Sequence, residues 1–186
     1  ENKLRPVLKI HPELNIGYCA HEGLVDLRLS LANGTASIAN LRDTGEQCME
    51  LLGEDFVCFG GDSLAEITLA HLRAHHQKIA VAESCTGGLL ANTFTDIPGA
   101  SDAFAGSVVC YTEESKIEHL GIPESILQQH EVVSAETAVA MATGAAEKFS
   151  ADYGLSSTGL AGPGAGTQSE PVGTVYFGLH TPSGAW

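Results

Sequence analysis

Positively charged residues are scarce in this sequence. Nine lysines and arginines stand against 23 aspartates and glutamates, and the formal net charge is −14 at pH 7. Nucleic-acid phosphates are bound mainly by basic side chains, and anionic membrane surfaces attract basic segments for the same reason. The charge balance therefore argues against nucleic acids and membranes as main partners.

The sequence also has no long apolar run. A helix that crosses a bilayer needs roughly 20 predominantly apolar residues, and no segment approaches that length. The first residues are charged and do not have the apolar stretch of a secretory signal. We therefore expect a cytoplasmic protein without a membrane anchor.

Cysteines are few, and their spacing excludes two common uses. The five are an odd number without a C-x-x-C pair, which argues against a disulfide framework and against a zinc ribbon. They are Cys19, Cys48, Cys58, Cys85 and Cys110. Buried thiols in a reducing compartment are the simplest interpretation.

The apolar patterning predicts two modules. The chain has 186 residues, 44% of them hydrophobic, which is enough for one sizeable core or two small ones. Residues 1–75 show the order α-β-β-α-β-α of a small α+β domain, with strands over Leu14–Cys19, Leu24–Leu31 and Phe56–Phe59. Residues 76–186 interleave helices with short apolar strands, which indicates α/β layering.

Capping residues mark the predicted helices. Ser, Thr and the Ser-x-x-Glu pattern typically begin helices because their side chains accept the first free N–H groups. The predicted helices run from Thr35 or Ser37 to Leu52, from Ser63 to His75, from Glu113 to Leu120, and from Ala135 to Phe149. The last one is rich in small residues, which predicts tight packing against the sheet or a partner.

One segment, KIAVAESCTGGLL (Lys78–Leu90), combines a strand, a polar turn and a helix start. The apolar run Ile79–Ala82 predicts a buried strand that ends just before Ser84, and Gly87 and Gly88 lead into an apolar helix. Such a turn exposes a hydroxyl at the sheet edge, where the free N–H groups of the helix also point. It suits a nucleophile, a phosphate group or both.

A nucleophilic Ser84 needs a base. Residues 76–186 contain no arginine and three lysines, which are Lys78, Lys116 and Lys148. The first precedes the strand and the last ends a helix, which leaves Lys116, five residues after Tyr111. A lysine in a sparsely hydrated site can lose its proton near neutral pH and accept one from serine. Spacing alone leaves open a solvated Lys116 paired with Glu113, and Tyr111 as a plain strand residue.

Two other chemistries are open to the same chain. Cys85 is a rival nucleophile, although it would need an adjacent basic group to become a thiolate. His71 and His75 lie one helical turn apart and can hold a metal, but no third ligand is in register. Solvent-facing histidines at a helix C-terminus explain them more simply, so we expect no metal site.

A second glycine-rich segment, GLAGPGAGT (Gly159–Thr167), follows Thr158. Its backbone N–H groups at Gly162, Gly164 and Gly166 can surround a phosphate, and Thr158 can present a hydroxyl. It matches neither the P-loop nor the dinucleotide-binding pattern. A flexible glycine loop and an anion cradle both remain open.

Several of these segments together resemble the CinA family, the competence/damage-inducible proteins. In order they are AESCTGGLLA (82–91), PGAS (98–101), CYTEESKIEHLGI (110–122), VVSAETAVAMATGA (132–145) and STGLAGPGAGTQSEPVGTV (157–175). The C-terminal domain of that family is a nicotinamide mononucleotide deamidase, which the resemblance places at residues 76–186. Residues 1–75 resemble its KH-type middle domain. Long members also carry an N-terminal metal-dependent pyrophosphatase domain.

The resemblance implies a layered α/β deamidase domain preceded by a small α+β KH-like domain. Its activity would be an amidohydrolase that converts nicotinamide mononucleotide and water to nicotinate mononucleotide and ammonia, in pyridine nucleotide recycling, without a cofactor. The matching catalytic residues are Ser84 as nucleophile, Lys116 as base, and Tyr111. The matching threonine is Thr158, and the turn at Thr86, Gly87 and Gly88 would bind the oxyanion or the phosphate. A homodimer or larger homo-oligomer is also implied.

Two departures from the family pattern matter. Thr112 and Glu113 stand where the family commonly has Ser-Asn, and a carboxylate there can repel a phosphate or face water. The family continues past its last strand into a segment with a functional arginine, so we expect a C-terminally truncated domain. The alternative is a non-catalytic nucleotide- or phosphosugar-binding domain of a larger protein, or an interaction module of a larger enzyme.

Overall fold

The computed structural model describes residues 2–21, 23–32, 37–164, 166 and 170–186, and within it the chain divides into two compact units between Gly60 and Gly61. The sequence placed this boundary after residue 75. The two boundaries differ in where they assign helix α3 (Leu64–Ala74). This helix belongs to the second unit, because its Leu69 packs with Ile79 and Val81 in a core of that unit.

The described part of the first unit contains a hairpin and two α-helices, besides a short 3-10 helix at Gly53–Asp55. The strands and α-helices are α1 (Arg5–Leu8), β1 (Leu14–His21), β2 (Leu24–Leu31) and α2 (Ile38–Leu52). The two strands are antiparallel, and Leu4, Leu8 and Cys48 form the core. The Oγ of Ser37 accepts the N–H of Asn40 and caps α2 as predicted, whereas Thr35 lies outside the described residues.

The predicted third strand over Phe56–Phe59 is wrong. These residues have no regular secondary structure, and the rings of Phe56 and Phe59 contact each other with centroids 4.9 Å apart. An extended strand would place side chains three residues apart on opposite faces, so this aromatic contact is incompatible with a strand. The KH-type identity of the first unit stays a prediction.

The second unit contains a five-stranded sheet in the order β4-β3-β5-β6-β7. Its strands are β3 (Ile79–Glu83), β4 (Phe104–Val109), β5 (Tyr153–Gly159), β6 (Val175–Thr181) and β7 (Gly184–Ala185). β3 runs parallel to β4 and β5, whereas β6 and β7 pair antiparallel at the other side. The α/β layering is as predicted.

Helices cover both faces of this sheet. Besides α3 they are α4 (Leu89–Thr95), α5 (Glu113–Leu120), α6 (Glu124–His130) and α7 (Ala135–Phe149). The predicted limits of α5 and α7 are confirmed, as is the capping box of Ser63 with Glu66 at the start of α3. The side chain of Ser134 caps α7. No helix in the described part of the chain is both long and apolar enough to span a membrane.

Alternate residues of β3 face opposite layers. Ile79 and Val81 pack with α3 and α4, whereas Ala80 and Ala82 pack with α5, α6 and α7. This alternation follows from the two-residue period of a strand. It places consecutive side chains at the end of β3 in two different environments.

α7 lies unusually close to the sheet. A methyl group at Gly154 would overlap the carbonyl of Ala142, and one at Gly178 would overlap the carbonyl of Ala138. Only glycine fits at such an approach of two backbones. The small residues of α7 therefore pack against the sheet, which was one of the two predicted possibilities.

Candidate active site

Ser84 lies at the carboxyl ends of three parallel strands. Glu83, the last residue of β3, is in register with Val109 of β4 and Ser157 of β5. The N–H of Ser84 donates to the carbonyl of Ser157 at 3.0 Å, and Ser84 is only 7% exposed. This edge is the usual position of a ligand site in an open α/β sheet.

Lys116 is fully buried beside Ser84. Its Nζ lies 3.1 Å from the Oγ of Ser84 and donates to the carbonyl of Cys110 at 2.9 Å. Lysines are almost never completely buried without a partner. The solvated lysine that the spacing left open is therefore absent, and the two residues singled out in the sequence are in contact.

Burial changes the acidity of this amine. The loss of hydration lowers the pKa of Lys116 below its ordinary value of 10.5, although the neighbouring Cys110, Glu113 and Cys85 act in the opposite direction. A neutral amine can donate one hydrogen to the Cys110 carbonyl while its lone pair accepts the hydrogen of the Ser84 hydroxyl. Such an arrangement is chemically able to place an amine base next to a serine hydroxyl.

Glu83 is the feature that the sequence reading missed. Its carboxylate is fully buried and accepts the N–H groups of Gly88, Leu90 and Ala91 at 3.0, 3.0 and 2.8 Å. The start of α4 therefore has its N–H groups occupied by the protein itself. The expectation that Gly88 binds the oxyanion or phosphate is wrong, because its N–H already has an acceptor.

The rest of the turn is also hydrogen-bonded. The N–H of Gly87 donates to the carbonyl of Ser84 at 3.2 Å. This N–H is therefore not free to bind the oxyanion or the phosphate, contrary to the expectation from the sequence. The hydroxyls of Thr86 and Ser157 lie 2.7 Å apart, and Ser157 was not foreseen as part of the site. Among the described residues, no acceptor is found for the N–H groups of Cys85 and Thr86, which makes them candidate donors to an oxyanion.

Tyr111 and Cys85 lie at the rim. The Tyr111 side chain is 71% exposed, and in the described part of the chain its hydroxyl makes no hydrogen bond to Ser84 or Lys116. Cys110, one residue earlier, is fully buried instead, and burial raises the pKa of its thiol. Cys85 is partly exposed, and its thiol lies beside Gly159.

Thr158 and the described glycines of the loop have neighbours of their own. Thr158 is fully buried, and its hydroxyl donates to the carbonyl of Val132 at 3.1 Å. Gly162 and Gly166 pack closely on Val172, whereas Gly164 has open space around it. In the described part of the chain no hydrogen bond joins these residues to Ser84, and Thr167 lies outside the described residues.

The other lysines and the arginine of the second unit have different surroundings. Arg73, His76 and Lys78 line a cavity of about 430 Å³ together with Asp102, and Lys78 precedes β3, at the opposite end from Ser84. Lys148 is exposed near the end of α7. Nδ1 of His75 donates to the carbonyl of His71 at 2.8 Å. No group of three or more metal-ligating side chains occurs in the described ranges.

Comparisons with known proteins agree with this fold. A family model described as "CinA C-terminal domain" matches residues 61–186, which is the second unit. A CinA-like protein of Myxococcus xanthus is 40% identical over 174 residues, covering 92% of this chain and 41% of that protein. A putative competence-damage inducible protein of Moorella thermoacetica is 46% identical over 130 residues, covering 70% of this chain and 31% of that protein. The chain thus spans well under half the length of these relatives.

Solved structures show the same architecture. The competence/damage inducible protein CihA from Agrobacterium tumefaciens superposes with a TM-score of 0.64 at 34% identity, covering 70% of this chain and 81% of that one. A CinA superfamily protein from Escherichia coli gives 0.62 at 29% identity, covering 73% and 81%. The mixed α/β fold is therefore shared with proteins of this group.

Proposed function

The chain belongs to the CinA family, and on this premise we propose that it is an amidohydrolase converting nicotinamide mononucleotide and water to nicotinate mononucleotide and ammonia, in pyridine nucleotide recycling. One observation carries the proposal: the fully buried amine of Lys116 lies 3.1 Å from the hydroxyl of Ser84. A lysine of lowered pKa beside a serine is the arrangement of a serine nucleophile with an amine base.

The first half of the reaction forms an ester. Neutral Lys116 takes the proton of the Ser84 hydroxyl while Oγ attacks the carboxamide carbon. The carbonyl oxygen becomes an oxyanion, and the N–H groups of Cys85 and Thr86 are the donors nearest in the chain to stabilise it. The amide C–N bond then breaks, and protonated Lys116 gives its proton to the leaving nitrogen, which departs as ammonia.

The second half releases nicotinate mononucleotide. Neutral Lys116 now accepts a proton from water, whose oxygen attacks the ester carbon. The bond to Oγ breaks, Ser84 recovers its proton from Lys116, and the carboxylic acid leaves and ionises. The Cys110 carbonyl orients Lys116 in both halves of the reaction. Its hydrogen bond to Nζ keeps the lone pair of the neutral amine directed at Ser84.

The pyridine ring and the phosphate of the substrate need contacts of their own. The exposed ring of Tyr111 is available to stack on the pyridine, and the catalytic role that the resemblance implies for it remains a prediction. The glycine loop beyond Gly159 provides backbone N–H groups for the phosphate. Homo-oligomerisation and a cytoplasmic location remain predictions.

The proposal is tested by incubating the protein with nicotinamide mononucleotide and measuring ammonia. We expect release from the wild type and from Cys85→Ala, and loss of at least three orders of magnitude in kcat for Ser84→Ala. Binding of the nucleotide without ammonia release would favour the alternative, a non-catalytic nucleotide-binding domain.

A further inference from the structure

Glu83 is a buried carboxylate whose partners are all backbone N–H groups. It is fully inaccessible to solvent, and its two oxygens accept from Gly88, Leu90 and Ala91. A buried charge persists only when hydrogen bonds or an opposite charge compensate its lost hydration. These three short bonds give that compensation, so the carboxylate and the start of α4 hold each other in place.

The bonds close a loop around the nucleophile. Glu83 ends β3, and its acceptors bind the first turn of α4, so both ends of the turn that contains Ser84 are tied to one side chain. The N–H of Ser84 is fixed separately to the Ser157 carbonyl. The hydroxyl of Ser84 thus projects toward the opposite face, where Lys116 lies.

We infer that Glu83 is a positioning residue for Ser84. Its carboxylate fixes the turn so that the Ser84 hydroxyl stays within hydrogen-bond reach of Lys116. The backbone of Cys85 and Thr86, which belongs to the same turn, is held with it. The inference rests on the proposed amidohydrolase function. It also assigns the positive end of α4 to an internal anion, which leaves the substrate phosphate to other donors.

The chemistry of the side chain at position 83 is demanding. A carboxylate supplies two acceptor oxygens, enough for three N–H groups, whereas glutamine supplies one oxygen and turns an NH₂ toward a backbone donor. Aspartate keeps the charge but is one methylene shorter. Either change shifts the turn, and a displacement of about 1 Å at a reacting group can lower the rate by about 10²-fold.

The test compares Glu83→Gln with Glu66→Gln, a matched control. Glu66 also accepts an N–H at a helix start, that of Ser63 at 2.7 Å, but it belongs to α3 and not to the site. We measure folding by circular dichroism, kcat and KM for amide hydrolysis, and the rate at which a fluorophosphonate probe labels Ser84. For E83Q we expect a folded protein, a kcat at least tenfold lower and a KM within threefold of wild type, with labelling slowed in parallel. For E66Q we expect all three constants unchanged.

The outcomes separate this inference from the proposed function. A folded E83Q with wild-type kcat and labelling rate overturns the positioning role and leaves the amidohydrolase standing. If the wild type releases no ammonia, the labelling rate still decides: slower labelling in E83Q supports positioning, and equal labelling overturns it. A wild-type Ser84 that does not react with the probe also overturns it, since there is no activated hydroxyl to position. If E83Q does not fold, Glu83→Asp replaces it, and failure of both to fold makes the role purely structural.

Discussion

The amine of Lys116 and the hydroxyl of Ser84 lie 3.1 Å apart although 32 residues separate them in the chain. They meet because Lys116 occupies an inward position of α5, one turn before the buried Leu120, while Ser84 faces the same layer from the end of β3. A position that would ordinarily hold an apolar side chain therefore holds a lysine. Its burial is the physical origin of the reactivity that we propose.

The pH dependence follows from the lowered pKa of Lys116. Only the neutral amine can accept the proton of Ser84, so kcat/KM rises with pH through that pKa and levels off above it. The midpoint falls below 10.5, the ordinary value, and a pH–rate profile measures it. A rate that falls as pH rises through this range contradicts Lys116 as the base, and Lys116→Arg is expected to be inactive because arginine does not deprotonate.

Replacing Lys116 by methionine separates activity from stability. We expect K116M to lose activity. Its free energy of unfolding at pH 7 should be at most about 1 kcal/mol below that of wild type, or higher, because methionine carries no charge to desolvate. The folded wild type binds fewer protons at Lys116 than the unfolded chain, so wild-type stability rises with pH between the lowered pKa and 10.5. Any advantage of K116M therefore shrinks as pH rises.

Urea unfolding at pH 7 and pH 9.5 measures this difference, with Lys148→Met as the control at an exposed site. K148M should retain both activity and the pH dependence of wild-type stability. A loss of more than about 2 kcal/mol in K116M would show that the lysine stabilises the fold, since core truncations and buried unpaired groups have effects of that size.

Two adjacent serines of β5 offer a matched pair. The Ser157 hydroxyl contacts Thr86 at 2.7 Å, whereas the Ser156 hydroxyl donates to the Ala138 carbonyl at 2.6 Å on the opposite face. Each alanine variant should lower the free energy of unfolding by about 1 kcal/mol. We expect kcat to fall about tenfold in S157A alone, because of these two hydroxyls only that of Ser157 contacts the turn that contains Ser84. Equal kcat values in both variants would remove Ser157 from the site.

The close contact of α7 with the sheet predicts a stability effect. Gly154→Ala places a methyl group on the Ala142 carbonyl and should destabilise the second unit by about 3 kcal/mol, at the upper end of overpacking effects. Gly61→Ala is the control, because nothing lies within 4 Å of its added methyl. Thermal unfolding compares them, and a G154A variant as stable as G61A would contradict the packing described here.

Local signals in the sequence were sufficient for most elements of the second unit. The caps and apolar periodicity gave α5 and α7 with their observed limits, because helix starts depend on nearby side chains. Burial could not be read in the same way. The spacing left Lys116 between a solvated residue and a base, since only the packing of α5 on the sheet shows which side of the helix faces inward.

Glu83 shows the limit most clearly. In the sequence it is one polar residue of a turn, and the helix start after Gly88 reads as an open anion site. The three hydrogen bonds of its carboxylate depend on how β3 enters the turn and on the direction of α4, which no local pattern encodes. The strand prediction for Phe56–Phe59 was wrong for a different reason. The apolar composition of this segment suits a strand, but the rings of Phe56 and Phe59 pack on each other instead.

The covalent intermediate is the most direct test of the central claim. The protein is mixed with nicotinamide mononucleotide, quenched in acid within the first turnover and digested, and the peptides are analysed by mass spectrometry. The account predicts that the peptide from the β3–α4 turn carries the acyl group as an ester on Ser84, and that K116M carries none. An adduct on Cys85, or ammonia release that persists at the wild-type rate in Ser84→Ala, would contradict it.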